Sequence, residues 1–361
     1  MTNSTISRHT ISPGRKTARS VAKIATMAQV AERAGVSTAT VSHVINGTKS
    51  VHSNTRRRVL TAIAALDYRQ NSAARNLATG RADIWGLLVS DIRNPFFADL
   101  AAAFQHEALQ HRLDAVIMNT DWDAGRTLEC IKRLLNMRVP AIALMTSLVD
   151  ESVKEMLVEN KICAVYLDLG QVGRYVSNIA VGYELGMAEM IAYLAALGHR
   201  RMGFIGGSAA LQSVQRRHAA FLELTASDTS IETMTMDSDF TFRGGYVACS
   251  KLLSRFSPSA IVAVNDVTAA GALHCASDRG VRVPNDLSVV GFDDIPLAEF
   301  AQPALTTVNI PRDTIGRLAF QALQEMLSRS AQKGREYAVT PRLVVRESTG
   351  KPNQGGGRVS I

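Results

Sequence analysis

A short polar stretch near the start of the chain carries residues suited to contact another polar molecule. It reads "GVSTATVSHVIN" and runs from Gly35 to Asn46. Small hydrogen-bonding groups, one methyl group and one imidazole are contributed by Thr38, Ala39, Thr40, Ser42 and His43. Such groups suit the pattern of donors, acceptors and methyl groups on base edges in the DNA major groove. The alternative is a solvated polar face on an ordinary three-helix cap.

The charge of the chain is unevenly distributed. Residues 1–82 contain 13 Lys and Arg residues against Glu32 and Asp67, a net charge of +11. The remaining residues carry 27 basic and 30 acidic side chains, a net charge of −3, and the whole chain has +8. This asymmetry predicts a small polyanion-binding module joined to a larger, near-neutral one. Phosphate contacts position such a module on DNA without specifying sequence, and Arg57 and its neighbours Arg56 and Arg58 suit them.

Helical periodicity predicts three short helices around the polar stretch. The first covers "MAQVAERAG" and ends at Gly35, and Ser37 caps the second, "STATVSHVIN". Ser53 or Asn54 caps the third, "TRRRVLTAIAALD". The residues expected to face the interior are Met27, Val30, Ala31, Ala34, Val41, Val44, Ile45, Val59, Leu60, Ile63 and Leu66. Two short helices joined by a tight glycine-containing turn are typical of a helix-turn-helix.

The segment "SAARNLATGRAD" that follows contains helix formers but almost no apolar stripe. Because short helices rarely persist without packing, we expect a hinge whose order depends on its surroundings. From Ile84 onward, about eight short apolar runs alternate with amphipathic ones, which predicts parallel α/β structure. Eight strands favour two similar subdomains, and several strands end in polar residues such as Asp168 and Asp293. In such sheets, ligands bind at the carboxyl ends of the strands.

Other function classes are not supported by the sequence. No apolar run approaches the roughly 20 residues of a membrane helix, and the N-terminus lacks the apolar segment of a secretory signal. Four scattered cysteines suggest reduced thiols and a cytoplasmic location: Cys130, Cys163, Cys249 and Cys275. The spacings of a dinucleotide-binding loop, a P-loop, a nucleophile elbow and a zinc protease are absent. We therefore expect neither an enzyme nor a metal or cofactor site.

Residues 26–348 closely resemble the LacI/GalR family of bacterial transcription regulators. The resemblance is carried by "VAERAGVSTATVSHVING", "NSAARNL", "LGHRRMGFIGG", "IVAVNDVTAAGAL", "RVPNDLSVVGFDDIP" and "PALTTVNIP". It implies an all-α helix-turn-helix domain and a hinge helix, followed by two Rossmann-like α/β subdomains of periplasmic-binding-protein type. The expected boundaries are 1–25 for a disordered basic arm, 26–70 for the helix-turn-helix domain, 71–82 for the hinge helix, 83–350 for the core and 351–361 for a flexible tail. Within the core, the N-subdomain covers about 83–180 and 311–338, and the C-subdomain about 181–310 and 339–350.

For DNA contact, the resemblance places Thr38 and Ala39 at the first major-groove positions, and His43 where other members carry Arg or His. It implies that Leu77 wedges into the central minor-groove step, with Ala74 packed against the groove floor or against the partner hinge. The alternatives are a His43 that contacts only water and a Leu77 that tucks under the core. The expected DNA-binding residues are Thr38, Ala39, Thr40, Ser42, His43, Asn46, Arg57, Asn71, Ala74 and Leu77.

For effector binding, the resemblance implies a set of aromatic and polar residues at the strand ends. These are Phe96, Phe97, Asp168, Ser213, Arg217, Phe240, Asn265 and Asp293. The alternatives are that Phe96 and Phe97 are ordinary core and that Asp293 or Asp294 caps a helix. Leu169, Leu211 and Ile310 depart from the purine-responsive pattern, and Tyr183 fills a position that is usually small or acidic. A sugar or sugar derivative is therefore favoured over a nucleobase.

Together these features predict an effector-responsive repressor that binds a palindromic DNA operator as a homodimer. Whether the effector weakens or strengthens DNA binding is left open. The C-terminal "STGKPNQGGGRVSI" lacks leucine heptads, so a dimer is expected and not a coiled-coil tetramer. A solute-binding protein and an α/β enzyme are the alternative classes.

Overall fold

A computed structural model describes residues 25–47, 49–68, 83–168, 171–207, 211–328 and 332–353. The chain divides into two compact units, residues 1–78 and 79–361. Among the described residues, none of the helices combines the length and apolar character required to cross a membrane.

The first unit contains three helices, α1 (Met27–Ala34), α2 (Thr38–Asn46) and α3 (Ser53–Ala65). Gly35 adopts a left-handed conformation (φ 61°) that ends α1, and the Ser37 hydroxyl accepts the Thr40 amide at 3.2 Å to begin α2. The helices enclose a small apolar core of Val30, Ala31, Ala34, Val41, Val44, Val59 and Ala62. This is the predicted helix-turn-helix.

Two details of the third helix differ from the sequence prediction. Leu60 is 48% exposed, because the adjacent Val59 and the next-turn Ala62 occupy the inward face. The N-cap is His52, whose Nδ1 accepts a hydrogen bond from the Asn54 amide at 3.4 Å. The helix therefore begins at Ser53, which was expected to be a cap and not the first helical residue. The prediction was therefore wrong for the burial of Leu60 and for the capping residue.

The second unit contains twelve described strands. They are β1 (Ile84–Val89), β2 (Asp114–Asn119), β3 (Ala141–Met145), β4 (Cys163–Leu167), β5 (Val176–Val181), β6 (Arg201–Ile205), β7 (Glu232–Met236), β8 (Ala260–Ala263), β9 (Ser288–Asp293), β10 (Thr306–Asn309), β11 (Glu336–Val339) and β12 (Arg342–Val344). Its helices are α4 (Pro95–Gln110), α5 (Ala124–Asn136), α6 (Glu151–Glu159), α7 (Tyr183–Leu197), α8 (Gln212–Ala226), α9 (Phe242–Arg255), α10 (Asp266–Asp278), α11 (Pro296–Phe300) and α12 (Arg312–Ser328).

These strands form two six-stranded sheets, as the predicted fold class requires. Their orders are β11-β5-β4-β3-β1-β2 and β12-β10-β9-β8-β6-β7. We call the first sheet with α4, α5, α6 and α12 the N-subdomain, and the second sheet with α7 to α11 the C-subdomain. Central strands such as β1 and β9 are buried along nearly their whole length, because helices cover both faces of a parallel sheet.

Three connections pass between the two sheets, at residues 181–183, 309–312 and 339–342. They join β5, β10, β11 and β12, which lie on one side of their sheets. We call this side the hinge edge. The opposite edges are β2 and β7, and no described connection passes between the sheets there. The carboxyl ends of the central strands meet between the two subdomains.

Candidate functional site

The second helix of the first unit presents the polar stretch at the surface. Thr38 and Ala39 at its first turn are exposed, and Thr40, Ser42 and His43 are partly exposed. Buried Val41 and Val44 on the opposite face fix the rotation of the helix against the core. The sequence thus divides the helix into one packed face and one face able to contact a ligand.

Basic side chains lie on the two helices that pack against this one. Arg33, Arg57 and Arg58 line one shallow concavity, and an Arg58 Nη donates to the carbonyls of Ala34 and of Gly35 (3.1 Å to the latter). Arg58 therefore stabilises the turn between α1 and α2, while exposed Arg57 lies beside it. Asn46 belongs to α2, whereas Asn71, Ala74 and Leu77 fall outside the described residues and remain predictions.

A cleft between the two subdomains brings together all eight residues expected to contact an effector. Its lining includes Phe96, Phe97, Asp168, Ser213, Arg217, Phe240, Asn265 and Asp293. Phe96 and Phe97 are both buried and also belong to the core, so the core and pocket interpretations both hold for them. Asn265 caps α10, because its side-chain oxygen accepts a hydrogen bond from the Thr268 backbone amide at 2.8 Å. Its side-chain NH₂ group is the part that can donate to a ligand.

Arg217 occupies the interior of the cleft and is only 7% exposed. Its Nε donates to the Ser213 carbonyl at 3.0 Å and an Nη donates to the Val264 carbonyl at 2.6 Å. The guanidinium lies 3.9 Å from a carboxylate oxygen of Asp293 and 5.1 Å from the centre of the Tyr183 ring. Its planar fork is therefore held in a fixed orientation, as recognition of ligand hydroxyls requires.

Asp293 ends β9 in a left-handed backbone conformation (φ 109°) that side chains rarely adopt. Burial raises the pKa of Asp293 to about 7, and the positive charges of Arg217 and Arg312 oppose that rise. Backbone strain and a perturbed carboxyl group together are typical of a functional position.

Asp168, at the end of β4, is held by several protein groups. It accepts hydrogen bonds from the Tyr183 hydroxyl (2.9 Å), the Val181 amide (2.8 Å) and an Arg216 Nη (3.2 Å). Arg216 also binds both carboxylate oxygens of Glu184 at 2.7 Å. Burial raises the pKa of Asp168, and these hydrogen bonds act against that rise. The Asp168 carboxylate is thus already hydrogen-bonded by protein groups. Together with Tyr183 it closes the inner end of the cleft.

Comparison with known proteins places this geometry in a family. A model described as "Bacterial regulatory proteins, lacI family" matches residues 26–71, and one described as "Periplasmic binding protein-like domain" matches residues 191–349. Catabolite control protein A of Priestia megaterium is 30% identical over 90% of this chain and 99% of its own length. The chain belongs to the lacI family of bacterial regulatory proteins.

Other relatives of the lacI family are similar to this chain over nearly its whole length. The ribose operon repressor of Haemophilus influenzae is 31% identical, covering 90% of this chain and 98% of its own. The transcriptional repressor PurR of Photorhabdus laumondii is 32% identical over 90% and 97%. A solved lac repressor dimer bound to operator and an anti-inducer superimposes with a TM-score of 0.81 at 26% identity, covering 91% of this chain and 100% of that one. The chain is thus a DNA-binding transcription regulator and not an enzyme.

Two residues of this lacI-family regulator were not identified from sequence, namely Trp122, which lines the cleft, and Arg216, which binds the cleft residue Asp168. Trp122, in the turn that follows β2, contacts Phe97 edge-on with ring centroids 5.7 Å apart and stacks on Phe240 with centroids 5.2 Å apart. Arg216 reaches Asp168 from α8. Neither lies on a regular apolar or catalytic pattern. The one available signal was the presence of an aromatic residue at a polar strand end.

The raised pKa of Asp293 predicts a pH-dependent stability. Its folded-state pKa of about 7 lies above the unfolded value of roughly 3.9, so its stabilising contribution is complete below pH 3.9 and is lost as pH rises through 7. The melting temperature of the unliganded protein should therefore fall on the order of 5 °C between pH 5 and pH 8. Differential scanning calorimetry of the wild type and of Asp293→Asn measures this effect.

The Asp293→Asn protein is the comparison, because it removes this carboxyl group; the same change removes a negative charge that, after burial, raises the pKa of Asp266. We expect the difference between the two proteins to vary with pH around 7. A difference in melting temperature between the two proteins that stays the same at every pH from 5 to 8 would contradict the assignment of this titration to Asp293.

Proposed function

We propose that this lacI-family regulator is a cytoplasmic repressor that binds a palindromic operator as a homodimer and whose DNA affinity is set by a small effector in the core cleft. The observation that carries the proposal is the pairing, in one chain, of an exposed polar helix with a cleft centred on Arg217 and Asp293. Relatives that are named as repressors, and a lac repressor dimer bound to operator, support it.

The proposed effector is a sugar or sugar derivative. Aromatic side chains along the cleft suit the apolar faces of a sugar ring, and Arg217, Asn265 and Asp293 supply donors and acceptors for its hydroxyl groups. A related regulator, CelR, has been solved as a complex with cellobiose, at 28% identity and a TM-score of 0.67 over 90% of this chain and 99% of that one.

The proposed mechanism couples the cleft to DNA through the subdomains. Residues 26–70 would read the operator, residues 71–82 would form the hinge helix, and residues 83–350 would hold the effector. Closure of the subdomains around the effector would shift the N-subdomains of the dimer and change the spacing of the two hinge segments. By linkage, operator DNA changes the effector affinity by the same factor as the effector changes DNA affinity.

The experiment that tests this function is a fluorescence anisotropy titration with duplexes from the promoter region of the protein's own gene. We expect salt-sensitive, saturable binding whose dissociation constant changes when a sugar binds. A sugar that raises the constant is an inducer, and one that lowers it is a corepressor. Absence of salt-sensitive binding to any such duplex, with and without sugars, would refute the function.

A substitution in the proposed hinge separates specific from non-specific binding. Leu77→Ala should weaken binding to operator far more than binding to random duplex, because an apolar wedge acts only where it can unstack and bend the central step. The expected loss is roughly tenfold or more for operator. Competition titrations with both duplexes measure it, and Leu109→Ala, at an exposed site on α4, is the control. Equal losses on both duplexes would rule out the wedge.

A further inference from the structure

Two aromatic side chains face each other across the mouth of the cleft. Trp122 follows β2 and Phe240 follows β7, which are the strands of the two sheets farthest from the hinge edge. Their ring planes lie 12° from parallel, with centroids 5.2 Å apart. Because the three connections lie at the hinge edge, rotation about them separates the far edges most. This stack is therefore the contact that any opening of the cleft must break.

The backbone around Trp122 is fixed in an unusual conformation. Both Asp121 (φ 53°) and Trp122 (φ 55°) are left-handed although neither is glycine. The Asp121 carboxylate binds Arg93 at 3.2 Å and also Arg126, and Asp123 caps α5 by accepting the Arg126 amide at 2.6 Å. Strained residues of this kind persist only where the surroundings hold them. The indole is thus directed to the mouth by a firmly held turn.

Phe240 is held in a similar way on the other subdomain. Its backbone is also left-handed (φ 66°), and it lies between Asp239, which accepts the Thr241 amide at 3.1 Å, and Thr241, which caps α9. The Phe240 ring lies against the backbone at Gly207, where an added Cβ would be 2.3 Å from ring carbons. Glycine at position 207 therefore leaves the space that the ring needs in order to reach Trp122.

We propose that Trp122 and Phe240 form an aromatic clasp that must part before an effector enters, and that limits the effector to a single ring. The proposal rests on the effector-binding function proposed above. The clasp closes the outer end of the cleft, and Tyr183, hydrogen-bonded to Asp168, closes the inner end. Between them, the Arg217 guanidinium and the Asp293 carboxyl group lie 3.9 Å apart and offer hydrogen-bond donors and acceptors side by side, as the hydroxyl groups of a polyol require. A disaccharide would have to extend past the clasp.

Opening can be measured without any effector. Thr146 lines the cleft and is buried, and the four native cysteines are also buried, so a Thr146→Cys thiol is a reporter for reagent entry. Loss of one aromatic pair should raise the open fraction about two- to tenfold. We expect 5,5′-dithiobis(2-nitrobenzoate) to react faster by that factor when Phe240→Leu is added. Gly207→Ala, which displaces the ring without removing it, should accelerate the reaction in the same direction.

Phe242→Leu is the matched control, because Phe242 is a neighbouring exposed phenylalanine outside the stack. It should leave the thiol reaction rate unchanged. Equal rates in the parent, Phe240→Leu and Gly207→Ala proteins would overturn the clasp, whether those rates are measurable or zero.

The proposed limit to a single sugar ring is tested by thermal shift. The monosaccharides D-ribose, D-glucose and D-galactose are compared with the disaccharides cellobiose and lactose. We expect only single-ring sugars to raise the melting temperature of the wild type, and disaccharides to raise that of the Phe240→Leu protein. A disaccharide that shifts both proteins alike would overturn the limit. If no sugar shifts either protein, or if nucleobases do so instead, the sugar assignment of the proposed function fails too, while the thiol rates still decide the clasp.

Discussion

Deletion of residues 1–80 is expected to abolish DNA binding while the remaining chain keeps its fold and its response to ligand. The deleted part contains all three helices of the first unit and nearly all of the residues that give the first 82 positions a net charge of +11. The remainder carries −3 and has its own two sheets. Fluorescence anisotropy at two salt concentrations measures the loss, and thermal shift with sugars measures the retained ligand binding.

A double substitution provides the finer comparison for this deletion. Thr38→Ala combined with His43→Ala removes two expected base contacts but keeps buried Val41 and every arginine. Each good base contact discriminates by roughly 1–3 kcal/mol, so operator affinity should fall at least about tenfold while salt-sensitive binding to random duplex persists. Operator affinity that survived either change would refute the assignment of the DNA-reading surface to α2.

The helix-turn-helix could be predicted because its signals are local in the chain. Gly35 and Ser37 act on backbone groups within four residues of themselves, so their effect can be read from sequence without knowing the fold. Leu60 was placed wrongly because periodicity alone does not decide which of two adjacent apolar residues faces inward. Val59 takes the inward position because it packs against residues of the other two helices, and that contact exists only in the folded unit.

The sheets were predicted in class but not in strand number. Eight strands correspond to the short apolar runs of the sequence, and one of these, β2, is an edge strand; β7, with the sequence "ETMTM", is a partly exposed edge strand without such a run. β10, β11 and β12 are only three or four residues long and lie at the hinge edge. Short edge strands are formed by their neighbours more than by their own composition, so the sequence gives them little signal.

The cleft could be anticipated only in part. Its eight expected residues came from the family resemblance, and the structure brings them to one place. Trp122 and Arg216 were missed because their partners, Phe240 and Asp168, are distant in sequence and meet them only when the subdomains close. Tyr183 stood out as a departure, but its hydrogen bond to Asp168 depends on the packing of α7 against the end of β4.

Arg217→Ala should remove the effector response and lower stability while leaving DNA affinity in the absence of effector unchanged. The substitution deletes the donors to the carbonyls of Ser213 and Val264 and leaves the Asp293 carboxyl buried without its nearest cation. Leaving the two carbonyls without their donors costs about 3 kcal/mol, which corresponds to a fall in melting temperature on the order of 10 °C. Calorimetry measures the stability, and operator anisotropy with and without the bound sugar measures the response.

Two further variants separate charge from geometry in the same experiment. Arg217→Lys keeps the positive charge but cannot reproduce the planar fork, so we expect it to lose most of the effector response while recovering part of the stability. Arg243→Ala changes an exposed arginine of the same subdomain and should alter neither quantity. An Arg217→Ala protein that folds and still shifts its operator affinity with sugar as the wild type does would mean that the effector binds elsewhere. A full response from Arg217→Lys alone would instead show that the cleft requires charge and not a bidentate contact.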